Sequence, residues 1–304
     1  MSRPAKPALP LRDGVAASAV FCPPGPWPTM AAFLAERLPR VGDWPERLAR
    51  GDVVDDDGLA LAPGYRANRR VYYWRHLDVE PEVPGRERIV FQDQHLLVVD
   101  KPHFLPVTPS GIYARQTLMA RLRHATGLAD LIPIHRLDRE TAGLVVFSVR
   151  REDRDAYHRL FRERAVDKVY EAVAPLGEGP WPRVVRHRLA EPAGDDFMQM
   201  QVVDGEPNAE TRITLVEALQ GAQQGLARYE LRPLTGQRHQ LRVQMNALGL
   251  PIVGDRIYPV LQPHENPPRF DAPLQLVARE ISFTDPVTGG LRHFSRGTAT
   301  IGPP

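Results

Sequence analysis

The sequence predicts an α+β protein: a mixed, mainly antiparallel central sheet with flanking helices, preceded by a small N-terminal α/β module. Three observations carry this. Strand-like stretches follow one another from Arg183 to Leu234, among them RITLVEAL and ARYELRPLT. Only a few helical patterns are interspersed with them, the pattern of an α+β sheet domain. A polar, proline-broken stretch, DVEPEVPGRER, separates this part of the chain from a compact unit ending near Leu77. Three regions are therefore expected: a flexible leader over 1–28, a small module and linker over 29–84, and the main domain over 85–304.

The elements are read in order. Residues 1–28 are proline-rich and end in CPPGPWP, which leaves no packed element expected before the tryptophan. TMAAFLAERLPRV has Ala32, Phe33, Ala35 and Leu38 at helical spacing. WPERLARGDVVDDDGLAL reads as a second short helix stopped at Gly51, then a small strand and turn, and ANRRVYYWRHL as a strand. RIVFQDQHLLVVDKP reads as two short strands around a turn at Gln92–Gln94, and ARQTLMARLRHATG as a helix with Gly127 as its C-cap. AGLVVFSV is an apolar, β-branched buried strand. REDRDAYHRLFRERA is a polar helix with a stripe through Ala156, Leu160 and Phe161, and DKVYEAVAP is a strand. GQRHQLRVQMNALG is a helix with Leu241, Met245 and Leu248 on one side, and LQLVAREISFTDP a late strand pair. No internal repeat is present.

Composition excludes several functional classes. The chain has 304 residues, 42% hydrophobic and 25% charged, ordinary values for a globular protein with a sizeable core. A formal net charge of +2 does not by itself point to nucleic acid. The only lysines are Lys6, Lys101 and Lys168, and every other basic residue is arginine, the better bidentate partner for phosphate or carboxylate. One cysteine, Cys22, permits no intramolecular disulfide and no cysteine-based zinc site. Apolar runs are far shorter than the about 20 residues a bilayer needs. The start, with GVAASAVFC, is interrupted by prolines and is read as a leader on a cytoplasmic protein. HExxH, Walker, GxGxxG and GxSxG patterns are all missing, and His135, His187 and His239 lack metal-like spacing.

What remains is a carboxylate, Asp138, in HRLDRETAGLVVFS, with Arg136 and Arg139 beside it and Arg238 and Arg242 in a distant helix. A neighbouring guanidinium favours the ionised form of a carboxylate, which makes it a persistent anion suited to act as a nucleophile. A structural ion pair is the commoner reading of such a cluster, and the residues alone leave both open.

In combination, the motifs resemble those of the RluA-type pseudouridine synthases. HRLDRETAGLVVFS is similar to that family's signature, with Ala142 where serine is commoner. LLVVDKPHFLPVTPSG, DKVYEAVAP, LTGQRHQLRVQMNALGLPIVGDRIYP and LVAREISFTDPVTG follow in the family's order, over roughly residues 88–296. Gln237, Arg238 and Gln244 stand where Arg, Thr and His are commoner, departures that touch target identity. The N-terminal module resembles the small RNA-binding module that often precedes such a catalytic domain. A small accessory domain of no defined binding role is the alternative.

The resemblance implies the pseudouridine synthase fold, isomerisation of uridine to pseudouridine in ribosomal or transfer RNA, and no metal or organic cofactor. Asp138 would be the catalytic carboxylate and Arg242 its partner. Tyr170 would stack on the target base, a contact worth about 1–3 kcal/mol, although a core aromatic in a strand is the bland reading. Leu241 would wall the pocket, Arg136 would enter the RNA in place of the flipped base, and Lys168 and His135 would contact substrate. Arg115, Arg121, Arg123, Arg159, Arg162 and Arg164 are candidate phosphate contacts, though a charged helix face is usually only solvated. RNA is the expected partner, with no DNA, no membrane and a monomeric chain. A catalytically inactive RNA-binding protein or RNA chaperone with the same fold is the competing expectation.

Overall fold

A computed structural model describes residues 9–39, 41–75, 80–192, 199–263 and 265–297. The chain forms two compact units. The first comprises Met1–Glu80 with Pro109–Arg115 and Ala120–Ala129, and the second Pro81–Thr108, Gln116–Met119 and Asp130–Pro304. The boundary expected at residue 84 thus falls at Glu80, and two later stretches join the first unit. Within that unit Val15, Ala114 and Ala120 share a small apolar cluster, and a Cβ on Gly14 would lie 2.0 Å from the Ala120 carbonyl oxygen.

The first unit holds β1 (Ser18–Cys22), α1 (Met30–Arg37), α2 (Trp44–Ala49), β2 (Val53–Val54) and β3 (Arg69–Tyr73). The strands form an antiparallel sheet in the order β1-β3-β2. Thr29 caps α1 by accepting the Ala32 N–H at 3.1 Å. Asp55 closes the turn after β2 by accepting from Asp57 and Leu59. The leader expected over 1–28 is corrected here: SAVFC alternates along a strand, so Val20 and Cys22 turn inward while Phe21 is exposed. Cys22 packs with Phe33, Leu34, Trp44 and Val71. Upstream, the Trp74 indole N–H donates to the Pro10 carbonyl at 3.0 Å. The expected proline-rich coil is therefore packed from about residue 9, and residues 1–8 lie outside the described ones.

The second unit holds β4 (Arg88–Gln92), β5 (Leu96–Lys101), β6 (Ile132–Pro133), β7 (Ala142–Ser148), α4 (Arg154–Arg162), β8 (Asp167–Pro175) and β9 (Arg183–Ala190). It continues with β10 (Gln201–Val203), β11 (Ala209–Ala218), β12 (Leu226–Pro233), α5 (Gln240–Ala247), β13 (Leu276–Thr284) and β14 (Leu291–Ser295). Helix α3 (Leu118–Thr126), which lies in the first unit from Ala120 on, ends at Gly127, whose φ of +71° is the left-handed conformation expected of a C-cap glycine.

Among the described residues the strands of this unit form one eleven-stranded sheet, in the order β10-β9-β11-β12-β8-β13-β7-β5-β4, with β14 beside β13 and β6 beside β7. Its pairs are antiparallel except β13 with β7, which is the mixed, mainly antiparallel sheet the sequence predicts. The expected strand pair in LQLVAREISFTDP is instead the single strand β13, whose partner β14 follows a turn closed by Asp285. β7 is buried along its whole length, as its unbroken apolar run requires. Leu241, Met245 and Leu248 of the α5 segment pack on Ala172, Ile213, Tyr229 and Leu231 of the sheet. Tyr157 and Leu160 of α4 pack with Val146, Ile281 and Phe283.

Candidate active site

Two stretches 104 residues apart in sequence build the site: the loop from β6 to β7, which carries Asp138, and helix α5, which carries Arg242. The loop is held by its own backbone. Its Arg139 carbonyl accepts from the Lys101 ammonium at 3.0 Å, its Glu140 carbonyl accepts from His103 Nδ1 at 2.7 Å, and Thr141 N–H donates to the Asp138 carbonyl at 3.2 Å. Lys101 is fully buried and also donates to the Pro102 and Leu105 carbonyls. Burial pulls its pKa down to about 7 against the nearby charges of Asp138 and Glu140.

The loop runs into β7 at Gly143, and the glycine is required twice over. Its φ is +112°, and a Cβ there would lie 2.2 Å from the Ala278 carbonyl oxygen on β13. This close parallel approach sets where the Asp138 loop leaves the sheet.

Helix α5 is almost wholly buried although it carries Gln240, Arg242 and Gln244. Each polar side chain is satisfied. Gln240 donates to the Glu210 carbonyl and the Thr211 hydroxyl, and accepts from Gln237 N–H and the Thr235 hydroxyl. Gln244 donates to the Val185 and Ala209 carbonyls at 3.3 Å and accepts from the Thr211 hydroxyl at 2.6 Å. These bonds pin the helix to β9 and β11, so Arg242 is aimed by a rigid element.

Arg242 is 1% exposed and meets three carboxylates. Nε donates to Asp255 Oδ2 at 2.8 Å and Nη2 to Asp255 Oδ1 at 2.6 Å, a two-point pair. Nη1 donates to Asp138 Oδ2 at 3.2 Å, and Nη2 also reaches Glu140 Oε2 at 3.3 Å. Burial works against the guanidinium charge, but the bonds to Asp255 and the charges of Asp138 and Glu140 more than offset it, raising its pKa. Asp255 is equally buried and also accepts from the Ile257 and Tyr258 N–H groups. Asp138 differs: its side chain is 29% exposed, so one face of this carboxylate opens to an incoming molecule.

Tyr170 lies on β8 between β12 and β13, opposite Leu231 and Ala278, and packs on the cluster that contains Leu241. Burial, with the charge of Asp138 in second place, raises its pKa and keeps the phenol neutral. His239, at the start of α5, points Nε2 at Asp138 Oδ1 from 3.9 Å, while its Nδ1 lies 3.1 Å from the Tyr258 hydroxyl. Burial lowers the His239 pKa against the charge of Asp138.

Asp138 and Arg242 are in contact, and Tyr170, which feels the Asp138 charge, packs on the cluster that holds Leu241. The arginines flanking Asp138 are not what holds it. Arg139 turns to Glu140 at 3.0 Å, Arg136 is exposed, and Arg238 pairs with Glu191 at 2.9 Å. In His135, expected as a substrate contact, Nε2 accepts the Val146 N–H at 3.1 Å and the ring stacks on Phe161 at 5.0 Å. Lys168 donates to the Thr235 carbonyl at 3.1 Å. Arg159 and Arg162 both pair with Asp155 on their own helix. Sequence reasoning passed over Glu140, Asp255 and His239. The signal for Asp255 was the GD of PIVGD, and the glycine explains itself: a Cβ on Gly254 would lie 2.3 Å from the Pro273 carbonyl oxygen.

Three comparisons bear on this arrangement. The chain is 33% identical to the dual-specificity RNA pseudouridine synthase RluA of Haemophilus influenzae over 222 residues, 72% of this chain and 96% of that protein. It is 29% identical to an RNA pseudouridine synthase of Synechocystis over 230 residues, 71% of this chain and 73% of that protein. The fold is shared with the solved structure of human RNA pseudouridylate synthase domain containing 1, with a TM-score of 0.58 and 24% identity over 71% of this chain and 85% of that one. A sequence profile described as RNA pseudouridylate synthase matches residues 95–247, which include the Asp138 loop, Tyr170 and Arg242. The chain belongs to the RNA pseudouridylate synthase family.

Proposed function

We propose that the chain isomerises uridine to pseudouridine in ribosomal or transfer RNA, with Asp138 as the catalytic carboxylate. The observation that carries this reading is the Asp138–Arg242 contact at 3.2 Å, made by a buried arginine on one side of a carboxylate whose other side is open. The reaction breaks the bond from the ribose to the ring nitrogen, turns the detached uracil, and joins the ribose to ring carbon 5. A proton leaves that carbon and the freed ring nitrogen takes one up, so nothing is gained or lost overall.

Each demand of this chemistry has a residue. Arg242 orients Asp138, and Asp255 in turn fixes Arg242, so the carboxylate is arranged before substrate arrives. Tyr170 offers a neutral aromatic face for the base and a phenol for the proton transfer. Leu241 narrows the pocket beside Tyr170, which slows escape of the free uracil. Extruding the nucleotide from folded RNA costs a few kcal/mol, and the exposed Arg136 fills the vacated stack. Lys168, tied to the Thr235 carbonyl, supports the strand end beside Tyr170 more directly than it meets substrate. A catalytically inactive RNA binder would gain nothing from a carboxylate turned toward an anionic polymer.

The same reading has the chain work as a monomer in the cytoplasm without a metal or organic cofactor, its N-terminal unit adding contacts to RNA. No helix among the described residues is long and apolar enough to cross a membrane.

The test is tritium release from transfer and ribosomal RNA labelled at uracil carbon 5, taken from a strain lacking this gene. Wild type releases tritium, while Asp138→Asn binds the same RNA and releases none. Equal release by both proteins would remove Asp138 from the mechanism. No release by wild type, with RNA still bound, would favour the inactive binder.

A further inference from the structure

Asp138 has two oxygens, and Arg242 accounts for one of them. The other, Oδ1, faces His239 Nε2 at 3.9 Å. The protonation of that nitrogen follows from the far side of the ring. Tyr258 is buried, and its hydroxyl oxygen accepts the Met200 N–H at 2.6 Å. The same hydroxyl lies 3.1 Å from His239 Nδ1. Phenol and imidazole each bring a single proton to this contact. If Nδ1 carried the ring proton, the Tyr258 oxygen would accept twice and its own proton would be left without an acceptor among the described residues. If instead the phenol donates to Nδ1, every group is satisfied, and the ring proton sits on Nε2, facing the carboxylate. A neutral ring fits a side chain that is only 9% exposed and lies close to the Arg242 charge.

We propose that His239 is a positioning residue for Asp138, locked by Tyr258 in the tautomer that presents Nε2–H to Oδ1. Arg242 and His239 then hold the carboxylate from both oxygens. A single arginine contact leaves the carboxylate free to swing about its χ2 torsion, and the second donor removes that freedom. The 3.9 Å separation is longer than a hydrogen bond, so the donor steers Asp138 electrostatically and closes on it when substrate displaces water. His239 sits in the left-handed region at φ +53°, a conformation uncommon for a side chain that bulky, and this backbone turn at the start of α5 is what aims the ring. The inference rests on Asp138 being the reacting carboxylate.

The Asn and Gln variants separate the two ring nitrogens. In His239→Asn the amide reaches the Tyr258 hydroxyl but not Asp138, whereas in His239→Gln its N–H reaches the place of Nε2. Single-turnover tritium release is expected to fall about 100-fold in His239→Asn, with RNA affinity and melting temperature near wild type, and to recover most of that loss in His239→Gln. Proton-coupled nitrogen NMR of histidine-labelled enzyme is expected to show the His239 proton on Nε2, and Tyr258→Phe to shift it partly to Nδ1. Wild-type turnover in His239→Asn, or a proton on Nδ1 in the intact enzyme, would overturn the proposal. Undiminished release by Asp138→Asn would instead sink the catalytic reading beneath it, and the tautomer measurement would still report on the Tyr258 lock.

Discussion

Arg242 and Asp255 form a two-point pair at 2.6 and 2.8 Å, with each side chain only 1% exposed. Two charges withdrawn from water this completely cost several kcal/mol each unless geometry and further hydrogen bonds offset it. Here Asp255 accepts two backbone N–H bonds, and Arg242 passes two further donors to Glu140 and Asp138. The pair is the anchor, and Asp138 is the partner that remains reachable from solvent.

Removing one member should expose this hierarchy. Asp255→Ala leaves a buried guanidinium short of charge and is expected to lower unfolding stability by about 3–5 kcal/mol in urea titrations. Arg242→Lys keeps the charge but cannot bridge Asp255 and Asp138 together. It is expected to fold and to bind RNA while losing about 100-fold in single-turnover rate.

Gly143 is where strand packing sets the site. Gly143→Ala forces a methyl group into the Ala278 carbonyl at a φ of +112°. Backbone strain and overpacking together should destabilise the protein by about 3 kcal/mol, with a proportionate fall in thermal midpoint. An unchanged midpoint would mean that β7 and β13 separate more easily than their register implies.

His135 gives a pH dependence. Burial, with a smaller contribution from Lys168, lowers its pKa to about 3, and its Nε2 is already occupied in accepting the Val146 N–H. An unfolded histidine titrates near 6.5. Between about 3 and 6.5 the unfolded chain therefore binds more protons than the folded one, so this stability is complete above 6.5 and is lost as pH falls. His135→Gln retains an acceptor and does not titrate. Wild type should lose about 3 kcal/mol relative to this variant between pH 7 and pH 4 in denaturant titrations. Parallel curves for the two proteins would refute the assignment.

Gln244, one of the departures from the commoner family pattern, faces the sheet and not the substrate side. Gln244→Leu strips partners from the Thr211 hydroxyl and the Val185 and Ala209 carbonyls. A loss of about 1–3 kcal/mol in stability is expected, with target choice in RNA unaltered. A changed pattern of modified uridines would place Gln244 in specificity after all.

The order of elements was legible in the chain because hydrophobic period and turn residues are local. The apolar run of β7 from Ala142 to Phe147 and the Leu241, Met245, Leu248 stripe each specify an element and the face it buries. Asp138, Tyr170 and Arg242 were legible only as motifs in order. The contact of Asp138 with Arg242 was legible through the resemblance alone, because it joins residues 104 apart through a sheet whose strand order differs from chain order. The residues alone offered Arg136, Arg139, Arg238 and Arg242 to Asp138; only the resemblance singled out Arg242, which is its neighbour in space. Nor was there a sign that SAVFC would close a sheet with a strand some fifty residues later, since the surrounding prolines conceal a two-residue period. What the sequence determined was the set of elements and the chemistry available to them. What only the tertiary structure decided was which charges meet and which nitrogen faces the carboxylate. The reason is physical: pairing between distant residues depends on strand register, on close approaches such as that at Gly143, and on the burial that makes an unpaired charge too costly to leave.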